Sequence, residues 1–142
     1  MKKLNVVIVY NPDESQVLMC KRSKEPYKGM MNFVGGKVEQ GERELDAAYR
    51  ELFEETGISE QDICLTHIMN FQYFISGLEL EVFAGKLFKE VILKEEVNSL
   101  FWVDRNENFC DMKRFAGECN IEHMLQQVDY YKNRISKEKD RF

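Results

Sequence analysis

Hydrophobic positions along the chain fall into short blocks rather than one long period. Leu4 to Tyr10 is a β-branched, apolar run and predicts a buried strand. Asn11-Pro12-Asp13 reads as a turn, and Gln16 to Arg22 as a second strand. Ser23 to Met31 carries Pro26 and Gly29 among charges and reads as a loop. Asn32 to Val34 predicts a short strand ending at the glycine pair Gly35-Gly36, and Lys37 to Glu39 a further extended piece. A helix opens at Glu42 or Arg43, with Gly41 as its N-cap, and closes at Gly57. Cys64 to Ile75 and Leu78 to Phe88 are β-rich and separated by Ser76-Gly77, a hairpin signal. In the second of these, Leu78, Leu80, Val82 and Ala84 alternate with Glu79, Glu81 and Phe83, which predicts one buried and one partly wet face. Ser99 to Asp104 (SLFWVD) reads as another strand. Ile121 to Ile135 reads as an amphipathic helix with Leu125, Val128 and Tyr131 inward. The charged tail, Ser136 to Phe142, is expected to fray.

Strands, helix, strands and helix in that order predict one mixed α/β domain over 1–142, with helices packed on a curved sheet. A length of 142 residues suits a single core. Neither a signal peptide nor a membrane span is expected, because the apolar run after Met1-Lys2-Lys3 is short. Cys20, Cys64, Cys110 and Cys119 form no CxxC pair, so free thiols in a reducing cytoplasm are expected. His67 and His123 are isolated and read as structural or surface residues. A net charge of −5 argues against a duplex nucleic-acid partner but not against a polyanion carried by a divalent cation.

The predicted helix 42–57 concentrates the chemistry. At about 100° per residue, Glu51, Glu54 and Glu55 share one arc, while Leu45, Ala48, Tyr49, Leu52 and Phe53 share another that should face the core. Acidic faces on helices are ordinarily just solvated. Here Glu54 and Glu55 oppose the macrodipole at the helix end, and no lysine follows at i+3 or i+4. The glycine pair upstream would let backbone approach a ligand closely. A cluster of hard oxygens is what Mg²⁺ requires, so a metal site explains the crowding better than a solvated face does.

Residues 36–58 match the signature of the Nudix hydrolases: G, five residues, E, seven residues, then REUxEExGU with U aliphatic. The fixed positions are Gly36, Glu42, Arg50, Glu51, Leu52, Glu54, Glu55, Gly57 and Ile58. The resemblance implies an α/β/α sandwich and Mg²⁺- or Mn²⁺-dependent hydrolysis of a diphosphate linked to another moiety. It implies that Glu51, Glu54, Glu55 and the Gly35 carbonyl ligate metal and that Arg50 orients Glu51, with Glu42 in electrostatic or metal contact. The proton acceptor would be a glutamate of this helix or a later acid, Glu95 or Glu96, of which Glu96 is preferred.

Substrate contacts follow from the same resemblance. Arg22 is either a phosphate contact or an exposed strand-end residue, and Lys37 lies beside the glycines. Phe33 stands where nucleotide-sanitising relatives pack an aromatic on the base, although the family's frequent proline is Val34 here. Asn120 either reads a purine edge or caps the last helix. RFAGECN, residues 114–120, is similar to the MutT-like subset. The expected substrate is a nucleoside triphosphate with an oxidised purine such as 8-oxo-dGTP, cleaved to monophosphate and pyrophosphate. ADP-ribose or a dinucleotide is the alternative, and a non-catalytic nucleotide sensor the alternative of another class. ADP-ribose-type relatives often carry a proline downstream of the box and an N-terminal extension. Here only Pro12 and Pro26 occur, and the chain opens on its first strand.

Overall fold

The structure is a computed structural model that describes residues 1–135, so the expectation for the 136–142 tail lies outside the described residues. The elements are β1 (Lys2–Tyr10), β2 (Gln16–Lys21), β3 (Met31–Asn32), α1 (Glu44–Thr56), β4 (Thr66–Tyr73), β5 (Leu78–Lys86), β6 (Leu100–Asp104) and α2 (Asn120–Ile135). They form a six-stranded mixed sheet in the order β3-β2-β1-β5-β4, with β6 paired to β2. β1 and β5 run parallel over nine residues, and the named strand pairs elsewhere are antiparallel.

Alternation along β1 divides the interior into two cores. Val6, Ile8 and Tyr10 join Met19, Phe115, Ile121, Leu125 and Val128 on the α2 face. Val7 and Val9 join Leu18, Ala48, Leu52, Ile58 and Ile63 on the α1 face. A helix on each face explains why the run from Val6 to Tyr10 is apolar at every position. The expected α/β/α arrangement of helices about a mixed sheet is therefore present.

Several local expectations are corrected. β5 has no wet face in its second half: Glu81 and Phe83 are buried, because α1 covers the side that alternation alone assigned to solvent. The inward stripe of α1 is Ala47, Ala48, Leu52 and Thr56, whereas Phe53 is 58% exposed and Leu45 is also exposed. The two alanines leave room for Leu52 at the contact, while Leu45 and Phe53 stand outside it. Gly41 is not the N-cap. It takes φ +81° in the turn where the Glu42 N–H donates to the Glu39 carbonyl, and Arg43 occupies the cap without a side-chain bond. The helix end is as expected, with Gly57 left-handed at φ 80° and its N–H donating to the Phe53 carbonyl.

Cys110 and Cys119 were expected to be free; they are joined in a disulfide, while Cys20 and Cys64 are free. A spacing of nine residues has no motif to betray it. The Phe109 and Phe115 rings, 5.1 Å apart, fold this segment back on itself and bring the two cysteines together. Among the described residues, no helix is long and apolar enough to cross a membrane.

Candidate active site

The glycine pair is held against β1 through the hydrogen bond from the Val7 N–H to the Val34 carbonyl, 2.8 Å. It faces the C-terminal half of α1. Glu55 reaches back so that its carboxylate accepts the Gly35 N–H at 2.9 Å. Glu51 packs on Gly36 so closely that a Cβ there would lie 2.3 Å from the Glu51 Cδ. Glu51, Glu54, Glu55 and Glu96 line one pocket of about 120 Å³, together with Cys20, Val34 and Asn98.

Arg50 organises the acids. Its Nε and Nη2 donate to Glu42 at 2.8 and 3.0 Å, its Nη1 to Glu51 at 3.0 Å and Glu54 at 3.3 Å, and Nη2 also to the Lys37 carbonyl at 2.9 Å. Bonding to Glu42, more than any other contact, holds the guanidinium firmly charged, and the same bond lowers the Glu42 pKa. The expected partner was Glu51 alone; a planar fork of five donors lets Arg50 tie three carboxylates at once. Among the described residues no three His, Cys, Asp or Glu side chains already converge in metal-holding geometry, since Arg50 and the Gly35 N–H take several of their oxygens.

Glu55 is the most perturbed of the acids, its pKa pushed up to about 7, first by burial and then by Glu51, Glu96 and Glu54, against the Gly35 N–H. Because the folded value lies above the ordinary 4.5, the stability contribution is fully present below about pH 4.5 and is lost as pH rises through about 7. Urea melts of metal-free protein from pH 4 to 8 should show this decline in the wild type. In Glu55→Gln the same decline should be reduced.

The two later acids part company. Glu95 accepts the Leu100 N–H at 2.8 Å and is committed to the loop, whereas Glu96 lines the acid pocket.

On the other side of Gly36 lies a larger cleft of about 670 Å³, floored by Leu4, Val6, Leu78 and Leu80 and rimmed by Arg22, Lys37, Tyr27, Tyr73, Glu118 and Asn120. Arg22 lies one residue past β2, and its Nε donates to the Pro26 carbonyl at 2.6 Å. Asn120 starts α2, but its amide donates to the Tyr73 hydroxyl at 3.3 Å and makes no side-chain capping bond among the described residues. Phe33 does not reach this cleft. It is 4% exposed in the α2-side core, because alternation sends Val34 to one face and Phe33 to the other. The aromatic side chains that do line the cleft, Tyr27 and Tyr73, escaped the sequence reading. Tyr27 stands in the charged loop and Tyr73 ends a strand, and neither position carries a distinguishing pattern. The Tyr27 hydroxyl donates to the Glu118 carboxylate at 2.8 Å, tying the two rims together.

Residues 1–118 match the family model of the NUDIX domain. The chain is 41% identical over 63 residues to an RNA pyrophosphohydrolase of Ruthia magnifica subsp. Calyptogena magnifica, covering 44% of this chain and 34% of that protein. It is 29% identical over 75 residues to an 8-oxo-dGTP diphosphatase of Escherichia coli, covering 51% and 58%. The match thus spans less than two thirds of either curated relative's length. Among solved structures, one from work on MutT of Aliivibrio salmonicida and Vibrio cholerae aligns with TM-score 0.68 and 26% identity, over 91% of this chain and 98% of the other. An Ap4A hydrolase of C. elegans aligns with TM-score 0.73 at 17% identity, over 92% and 97%, and shares the fold.

Proposed function

The chain belongs to the NUDIX family, and on that premise we propose that it hydrolyses a nucleoside triphosphate to monophosphate and pyrophosphate, with an oxidised purine such as 8-oxo-dGTP as substrate. The observation that carries this reading is the pairing of two sites across Gly36. An acid pocket of about 120 Å³ adjoins a cleft of about 670 Å³ that is apolar below and polar at its rim.

The donor set fits a hard divalent cation, Mg²⁺ or Mn²⁺. The carboxylates of Glu51, Glu54 and Glu55 are all oxygen donors, and the Gly35 carbonyl accepts no hydrogen bond among the described residues. When bound, such an ion would neutralise diphosphate charge and make a nearby water more acidic. Arg50 keeps Glu51 and Glu54 oriented. Arg22 and Lys37 bring positive charge to the cleft rim, where they would meet the phosphates. Glu96 takes the proton of the attacking water. Water adds to phosphorus, one P–O–P bond breaks, and pyrophosphate leaves.

The position of the Asn120 amide at the cleft rim, held there by Tyr73, supports purine reading, since an amide can donate and accept at one base edge. Asn120→Ala should lower the ratio of kcat/KM for oxidised over normal purine by about tenfold, the worth of one hydrogen bond of about 1.4 kcal/mol. Equal losses on both substrates would assign Asn120 to the helix instead.

A panel of nucleoside triphosphates, ADP-ribose, dinucleotides and 5′-triphosphorylated RNA, assayed with Mg²⁺ for release of products separated by anion-exchange chromatography, tests the whole reading. Release confined to ADP-ribose or dinucleotides would replace the substrate proposed. Tight binding without release from any member would mark a sensor.

A further inference from the structure

β2 meets β1 at Tyr10 and Val17, and the rest of that β1 edge is open to residues 34–38. Val7 bridges Val34 and Leu4 bridges Lys37, both antiparallel, so Asn5 stands opposite Gly36. The Asn5 N–H donates to the Gly36 carbonyl at 2.7 Å, as a ladder requires. The return bond is different. The Gly36 N–H donates at 2.9 Å to the Asn5 side-chain Oδ1, not to the Asn5 main-chain carbonyl.

This substitution acts on the preceding carbonyl. The Gly36 N–H and the Gly35 C=O belong to one planar trans peptide and point in opposite directions. Seating the N–H on Oδ1 therefore aims the Gly35 carbonyl away from Asn5, and no hydrogen bond to it exists among the described residues. Glu51 lies against the Cα of the same Gly36, and Glu55 is held by the Gly35 N–H. Asn5 is itself 3% exposed, and its Nδ2 has no partner among the described residues. Burying an unsatisfied donor is costly, and the adjoining Val6, Val7, Ile8 and Val9 show that β1 packs without amides. The useful half of this side chain is its acceptor.

We propose that Asn5, which lies outside the glutamate box, is the positioning residue that aims the Gly35 carbonyl into the cation site. The inference rests on the reading of the acid pocket as a divalent-cation site and adds a residue that sets one of its ligands.

Mn²⁺ binding to metal-free protein, followed by electron paramagnetic resonance, tests it alongside amide hydrogen exchange at Gly36. In Asn5→Ala, Gly36 exchange should quicken at least about tenfold and the Mn²⁺ dissociation constant should rise about 10- to 100-fold. Exchange in the central strand β5 should stay as in the wild type. Asn5→Asp keeps an acceptor on the same branch and should retain Gly36 protection, with Mn²⁺ affinity within a few-fold of wild type. If Asn5→Ala does not fold, Asn5→Ser, whose hydroxyl is too short to reach Gly36, replaces it with the same expectation. A folded Ala or Ser variant with rapid Gly36 exchange and wild-type Mn²⁺ affinity overturns the proposal and leaves the cation site standing. Wild-type protein that binds no Mn²⁺ overturns both.

Discussion

Glu54→Gln is expected to lower kcat by roughly 10² to 10⁴-fold while the protein melts as the wild type does. The side chain is 51% exposed, and its contact with Arg50 is the longest of that network at 3.3 Å, so little packing depends on it. Glutamine keeps the shape but removes a negative charge that would hold the proposed divalent cation. Part of the loss should appear as a higher Mg²⁺ requirement, measured by titrating the metal at saturating nucleotide. Unchanged turnover at every Mg²⁺ concentration would remove Glu54 from the reacting centre. A drop in melting temperature of many degrees would instead make it structural.

The two glycines should answer alanine substitution in opposite ways. At Gly35 the backbone has φ +151°, and a Cβ would come within 2.1 Å of the Asn5 main-chain oxygen. Neither the dihedral nor the strand can yield cheaply, so Gly35→Ala should cost about 4 kcal/mol and leave little folded protein. At Gly36 the atoms nearest an added methyl belong to the Glu51 carboxylate, at 2.3 Å from Cδ, and that is the far end of a flexible side chain. Gly36→Ala should therefore fold, with a melting temperature close to wild type, but with Glu51 displaced and turnover reduced by about two orders of magnitude. Thermal melts and kcat measured on the same preparations separate the outcomes. An active, stable Gly35→Ala protein would contradict the packing of this loop on β1.

How far the sequence could be read differs from one residue to the next. The helix that carries the acids was legible because its signals are local: a 3.6-residue period and a glycine free to adopt φ +80° at its end. Ala48 and Leu52 were read as inward and are buried, but Leu45 and Phe53 were read so too and are exposed, while the buried Ala47 looks unremarkable in sequence. Between the neighbours Glu95 and Glu96, Glu96 was preferred without a local signal to separate them. Only the fold shows that one is spent on the Leu100 N–H while the other enters the acid pocket. Phe33 was assigned to the base by its position beside the glycines, and strand alternation buries it instead. Asn5 is visible as a polar residue inside an apolar run, but what it meets, Gly36, is 31 residues away.

The sequence by itself determined the family and the helix that gathers Glu51, Glu54 and Glu55, because spacing along one helix and turn-forming residues act over a few positions. Tertiary structure decided which groups share a site. It brought Glu96 to Glu55, drew Arg50 onto three carboxylates, set Asn120 against Tyr73 and closed Cys110 onto Cys119. Burial and strand pairing join residues far apart in the chain, and burial, more than the neighbouring acids, pushes the Glu55 carboxyl up to about 7.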